Sequence, residues 1–192
     1  MINVPKLILA SASPRRAEIL TAVGWEYEKR IADIDETELA DEKPENYVQR
    51  LAREKAEAVS KNYKDALILG ADTIVVIENK IIGKPKDLAD ARKMLKMLSG
   101  NWHEVLTGVA LVKITEGNLE TKVDLQRTRV KFAELSEAEI EFLVVKGEPL
   151  DKAGAYAVQA QAALFIEQIQ GDYWNVVGLP VNLVYQLLKT EE

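Results

Sequence analysis

An aspartate set inside an apolar run constrains this chain more than any other feature. Leu67-Ile68-Leu69-Gly70-Ala71 and Ile74-Val75-Val76-Ile77 flank Asp72-Thr73, and a β-branched run of that kind reads as a buried strand. An ionised carboxylate buried without a partner must shift its pKa or take a cation or metal beside it. Asp72 is therefore a stronger functional candidate than any acid in a loop. Glu78-Asn79-Lys80 then reverse the chain. A hairpin centred near Asn79 pairs residues whose numbers sum to roughly 158, which brings Lys84 beside Ile74 and within about two residues of Asp72. Carboxylate and ammonium then share one end of the sheet, either as an ordinary cross-strand ion pair or as part of a site.

The start of the chain carries the second anomaly. Leu7-Ile8-Leu9 is a short apolar run, and Ser13-Pro14 is a helix start, with a hydroxyl to cap free amides and a proline at the first helical position. Arg15 and Arg16 then occupy the first turn, where the macrodipole favours acids. A broken local rule tends to mark function. Two guanidiniums at a helix N-terminus beside Ser11 and Ser13 would receive a polyanion such as phosphate, and the alternative is two solvated arginines paired with nearby carboxylates.

Composition narrows the partners. The chain has 192 residues, is 47% hydrophobic and carries a formal net charge of -6, so it suits one domain, residues 1–192, with room for two lobes around a central cleft. The acidic balance argues against non-specific nucleic-acid or anionic-membrane binding and requires any polyanion site to be a local basic island or to use a metal. No cysteine is present, which excludes disulfides, thiolate metal sites and a Cys nucleophile. His103, the only histidine, lies in a polar turn and reads as a surface residue. With no secretory h-region and no apolar run long enough to cross a membrane, the expected location is cytoplasmic.

Along the rest of the chain, a strand is expected around Trp25 and Tyr27. An acidic loop follows with Asp33, Asp35, Glu36 and Glu38, either simply solvated or supplying a metal ligand. From Pro44 to Ser60 the pattern is helical, and at about 100° per residue Val48, Leu51, Ala52 and Val59 share a stripe that also contains Lys55. That lysine either snorkels to the edge or aims its charge into a cleft. Asp87–Leu98 is an amphipathic helix with Leu88, Ala91, Leu95 and Leu98 inward, and Val105–Val112 is a strand. Val123–Phe132 is a second, with a bulge near Arg127. Ser136-Glu-Ala-Glu139 is a capping box for a helix with Ile140, Leu143 and Val144 inward, closed by Gly147. Asp151-Lys152-Ala-Gly-Ala-Tyr156-Ala-Val-Gln159 reads as a binding loop, Leu164–Ile169 as a strand, and Pro180 opens a helix with Leu183, Val184 and Leu187 inward. Strands and helices mix without strict βαβ alternation, so the expected fold is α/β, a mixed twisted sheet with helices packed against it.

These motifs together resemble the Maf family, nucleoside triphosphate pyrophosphatases also discussed as inhibitors of septum formation. The resemblance covers essentially the whole chain. It rests on Ser11-Ala-Ser13-Pro14-Arg15-Arg16, Asp35-Glu36 with Pro44, Leu51-Ala-Arg-Glu-Lys55-Ala, Gly70-Ala-Asp72-Thr73, Gly83-Lys84-Pro85, Asp151-Lys152-Ala-Gly-Ala-Tyr156 and Gly171-Asp172-Tyr173-Trp174-Asn175-Val-Val-Gly178-Leu-Pro180. It implies an elongated α/β fold related to the inosine triphosphate pyrophosphatases, a homodimer, and a divalent metal, Mg²⁺ or Mn²⁺. Arg15, Arg16, Lys55 and Lys84 would hold a triphosphate carrying roughly four negative charges, with Ser11, Ser13 and Lys152 in the same binding set. Asp72 matches the family's general base, and Glu36 would help it hold the metal. Attack between the α- and β-phosphates gives a monophosphate and pyrophosphate. No Gly-x-x-x-x-Gly-Lys-[Ser/Thr] loop is present, against a P-loop enzyme.

Arg15, Thr73 and Gln159 match the subgroup resembling dTTP/UTP pyrophosphatases. The subgroup acting on 7-methyl-GTP carries an aromatic, Gln and an acid at those points. A neutral amide offers both donor and acceptor to the edge of uracil or thymine. The chain departs from the family at Ala157 and Ala160, where glycines are usual, placing Cβ atoms where left-handed angles or close approach to the nucleotide would favour none. A nucleotide-binding regulator of cell division with little turnover is the alternative, separated by whether Asp72 is needed. A nucleic-acid-binding module is disfavoured by charge.

Overall fold

In the computed structural model, which describes residues 5–189, the chain opens with β1 (Leu7–Ala10) and α1 (Pro14–Ala22). β1 runs parallel to β2 (Tyr27–Arg30) on one side and to β3 (Ala66–Ile77) on the other. A strand so placed is covered on both faces and needs a continuous apolar run, and all of Leu7–Ala10 is buried. β3 is one unbroken strand with Asp72 inside it. β4 (Lys80–Ile82) returns antiparallel, pairing Val75 with Ile82, Val76 with Ile81 and Ile77 with Lys80. The register is one residue lower than expected because the turn is Glu78-Asn79, both left-handed with φ of 50° and 62°, as a tight hairpin turn demands. β5 (Trp102–Thr115), β6 (Asn118–Phe132) and β7 (Ile166–Gln170) complete a mixed sheet of order β2-β1-β3-β5-β6-β7, with β4 paired to β3 off that path. The flanking helices are α2 (Pro44–Ser60), α3 (Leu88–Leu98), α4 (Glu137–Lys146), α5 (Tyr173–Val177) and α6 (Val181–Lys189).

The chain divides into two compact units. One holds the described residues up to Asp72, Thr107–Gln126 and the described residues from Gly178 onward; the other holds Thr73–Leu106 and Arg127–Val177.

In the first unit, α2 lies directly on the sheet. Its Ala52, Ala56 and Val59 join Ile8, Ile68, Ala110 and Val112 in one buried cluster. A Cβ on Gly70 would stand 2.1 Å from the Ala52 carbonyl oxygen, and one on Gly108 would stand 2.2 Å from that of Val48. Only glycine permits this approach of helix backbone to strand. The expected stripe of Val48, Leu51, Ala52, Lys55 and Val59 is buried throughout.

In the second unit, α4 has the expected capping box and buries Ile140, Leu143 and Val144. α3 buries Ala91, Leu95 and Leu98, but Leu88 is 43% exposed, because it is the first helical residue after the Asp87 cap and precedes the covered turns. Leu164 was expected in a strand; it ends a 3-10 turn and is exposed, and β7 starts at Ile166. In α6, which belongs to the first unit, Val184 is buried while Leu183 and Leu187 are half-buried. The burial of β6 changes parity between Leu125 and Gln126, near the bulge expected at Arg127, whereas its register against β7 shifts at Lys131/Phe132.

His103 overturns its expected surface position. β5 begins at Trp102, earlier than the apolar pattern suggests, so His103 is an inward strand residue only 2% exposed. Its Nε2 lies 2.7 Å from the Tyr156 hydroxyl, its ring packs against Phe132 and Tyr156, and its Nδ1 has no partner. Burial lowers its pKa from 6.5 to about 4. The unfolded chain therefore takes up a proton that the folded one refuses. Stability from this group is present above 6.5 and is lost as pH falls through about 4, a loss of about 3 kcal/mol when complete. Urea midpoints measured across that window should fall, and His103→Gln, which cannot titrate, should remove that part of the slope.

Candidate active site

The first turn of α1 works differently from a capped helix start. Ser13 occupies the N-cap position but makes no side-chain cap bond, contrary to expectation. Its own N–H instead donates to Ser11 Oγ at 3.2 Å, which turns the loop back on itself and leaves the Ser13 hydroxyl out of the cap. Ser11 Oγ also accepts from Arg16 Nη1 at 3.0 Å, and Arg16 Nε donates to the Gly178 carbonyl at 2.8 Å. Arg16 is only 8% exposed, so it is not a solvated arginine. Burial lowers its pKa and the nearby Asp72 carboxylate opposes that shift. Arg15 beside it is half-buried.

Asp72 is the second buried charge of this unit, 8% exposed. Lys55 Nζ donates to its Oδ1 at 2.6 Å and meets Glu36 Oε1 at 2.8 Å. The Asp72 pKa is raised, chiefly by burial, against the pull of Lys55 and Arg16. A carboxyl shifted upward by desolvation while flanked by cations is the environment in which a general base is tuned. Ser11, Arg16, Glu36, Lys55 and Asp72 are thus brought into one polar network from the loop after β1, α1, the acidic loop, α2 and β3, with Ser13 and Arg15 next to them in sequence. Among the described residues no group of three or more His, Cys, Asp or Glu side chains is placed to hold a metal ion. Glu36 and Asp72, the pair expected to do so, converge on the single Lys55 ammonium.

The remaining expected residues lie in the second unit. Thr73 is half-buried in β3 and Lys84 is exposed beyond β4. The segments bearing Lys84 and Lys152 meet through the Gly154 N–H, which donates to the Gly83 carbonyl at 3.0 Å. Gly154 sits at φ 68° with its missing Cβ 2.9 Å from Val75 Cγ2. Lys152 is 9% exposed and donates to Asp151 Oδ1 at 2.6 Å and to the Glu148 carbonyl. Gln159 is exposed. The left-handed residues of this loop are Gly154 and Ala155, whereas Ala160 has φ of -122° and Ala157 is not left-handed. The two alanines therefore impose no left-handed strain, because the tight turn they were expected to serve is made earlier.

A family described as Maf-like protein matches residues 6–191. The chain belongs to the Maf family. Similar proteins include the dTTP/UTP pyrophosphatase of Syntrophus aciditrophicus, 50% identical over 184 residues that cover 96% of this chain and 89% of that one. The dTTP/UTP pyrophosphatase of Symbiobacterium thermophilum is 50% identical, covering 95% and 92% of the two chains, and that of Bacillus cereus is 46% identical, covering 97% and 90%. The solved structure of the Staphylococcus aureus Ham1 protein superposes with a TM-score of 0.57 at 17% identity, covering 97% of this chain and all of that one; this shows a shared fold.

In this Maf chain the residues missed by the sequence reading are Gly178 and Tyr156. The Gly171–Pro180 segment supported the resemblance without a role, and its Gly178 carbonyl now proves to seat Arg16. Tyr156 is buried against His103, a pairing no spacing rule would reveal.

Proposed function

We propose that the chain hydrolyses the α–β phosphoanhydride of dTTP and UTP, with 5-substituted relatives such as 5-methyl-UTP, releasing pyrophosphate and the monophosphate and so cleaning nucleotide pools. The observation that carries this reading is the buried Asp72 carboxylate, bonded to Lys55 at 2.6 Å with Arg16 close enough to act on its charge. Phosphoanhydride cleavage depends mostly on positioning and charge stabilisation, and a base next to fixed cations meets both needs. The relatives named dTTP/UTP pyrophosphatase support the substrate class; nothing favours the reading as a regulator with little turnover.

In this scheme Arg15, Arg16, Lys55, Lys84 and Lys152 neutralise the phosphates, with Ser11 and Ser13 lining the same anion site. Asp72 accepts the proton of the attacking water. Thr73, Gln159 and Arg15 discriminate the base. Glu36 and Asp72 would hold a hard divalent cation through their carboxylate oxygens, since one or two carboxylates plus phosphate oxygens are what Mg²⁺ takes. When bound there, such an ion supplies charge neutralisation and lowers the pKa of a water. A homodimer, implied by the family resemblance, and a cytoplasmic location complete the proposal.

The test is pyrophosphate release across dTTP, UTP, CTP, GTP and 7-methyl-GTP. kcat/KM for dTTP and UTP should exceed that for the guanine nucleotides by at least about 10-fold, since a pocket built for one base edge leaves polar groups unpaired with another. Gln159→Glu, combined with Thr73→Gln and Arg15→Trp, should erode that ratio. A wild-type preference for GTP or 7-methyl-GTP overturns the substrate assignment.

A further inference from the structure

The acidic loop that carries Glu36 has no regular secondary structure from Ile31 to Lys43, and most of its side chains are exposed. It brings almost nothing apolar to the core. Its placement must come from polar anchors, and those anchors come from α2. Arg50 grips Glu42 with two parallel bonds of 2.7 Å, Nε to Oε1 and Nη2 to Oε2, and Nη2 also donates to the Thr37 carbonyl at 3.1 Å. Glu42 in turn accepts from the Leu39 N–H at 3.1 Å. Arg50 stacks over the Tyr47 ring, whose hydroxyl donates to the carbonyl of Glu36 itself at 2.8 Å. Asp35 closes the same stretch by accepting from the N–H and the hydroxyl of Thr37.

Magnitudes separate the anchors from the contact they serve. The Glu36 side chain is 55% exposed where it meets the buried Lys55, and an ion pair with one partner open to solvent contributes too little to order a loop. The Arg50 and Glu42 side chains are only 14% and 7% exposed, and a bidentate, part-buried pair fixes geometry more firmly. We propose that Tyr47 and Arg50 are positioning residues that hold the Glu36 backbone where its carboxylate meets Lys55 beside Asp72. They touch no reacting atom. The inference rests on the pyrophosphatase reading for its kinetic consequence, though not for its structural one.

The experiment uses the full chain with dTTP and compares Tyr47→Phe and Arg50→Lys, each made in the parent and in a Glu36→Gln background. Tyr47→Phe deletes one hydroxyl and keeps the ring; Arg50→Lys keeps the charge and loses the fork. In the parent, each should lower kcat by about 10-fold, with KM moving less than about 2-fold. In the Glu36→Gln background each should cause no further loss, because both act through the group already removed. Hydrogen exchange of residues 36–39 should speed by at least about 10-fold in both variants while α2 remains protected. Equal losses in the two backgrounds overturn the proposal, as does unchanged turnover or unchanged exchange. If Glu36→Gln alone retains full turnover, the kinetic arm fails while the Asp72 chemistry stands. Should the parent release no pyrophosphate from any triphosphate, the functional reading fails and the exchange arm alone decides whether the anchors place the loop.

Discussion

Asp72→Asn should leave a folded protein that binds dTTP yet turns it over at least about 100-fold more slowly, because a general base contributes about that much or more to the transition state. The substitution keeps the shape of the side chain and one oxygen to accept from Lys55, and Lys55 retains Glu36 as a partner. Stability should therefore change by no more than about 1 kcal/mol. The sign of the pH effect supports this. Burial holds the folded Asp72 pKa above its ordinary 3.8, so the stability from this group is fully present below that value and is lost as pH rises through the raised one. At neutral pH the ionised carboxylate is maintained against its surroundings, and Asn relieves that. Turnover runs the opposite way: the base must be ionised, so kcat should fall on acidification at a higher pH than an ordinary carboxylate would give. Melting curves, dTTP titration calorimetry and single-turnover rates separate the two effects. An Asn variant with near-parental turnover removes Asp72 from the mechanism.

Removing divalent metal should stop pyrophosphate release completely and reversibly. The candidate ligands, Glu36 and Asp72, are all-oxygen. The chain has no cysteine, and its one histidine is 2% exposed and bonded to Tyr156, so softer sites have no ligands to draw on. Excess chelator followed by Mg²⁺ or Mn²⁺ should abolish and then restore activity on metal-free substrate. Full turnover in chelator refutes the requirement.

How much of this was legible in the sequence depended on whether the signal was local. The Ser136 capping box and the boundaries of α2 are written within a few residues and lie where the sequence places them, and the hairpin near Asn79 forms one residue out of its expected register. The buried stripe of α2 that contains Lys55 was legible too, since helical spacing survives folding; that Lys55 is the lysine bonded to Asp72 was not, because hairpin spacing pointed to Lys84 instead. What was hidden depended on meetings across the chain. Ser13 begins its helix without capping it, because Ser11 takes its amide and Arg16 at once. His103 looked solvated because Asn101 and Trp102 resemble a turn until β5 proves to start there. Gly178 accepts from Arg16 across 162 positions of sequence, and no periodicity announces such a bond.

The contact of α2 with Gly70 and Gly108 sets a tolerance for the chemistry. Helix and strands touch there through backbone atoms, which have no rotamers to yield, so the height of the helix above the sheet is fixed before any nucleotide arrives. Lys55 reaches Asp72 at 2.6 Å from that height. A single methyl group on either glycine would lift the helix, and a rise of about 1 Å is enough to turn that bond into a mere proximity. The cation and the base are therefore matched by the packing of helix on strand.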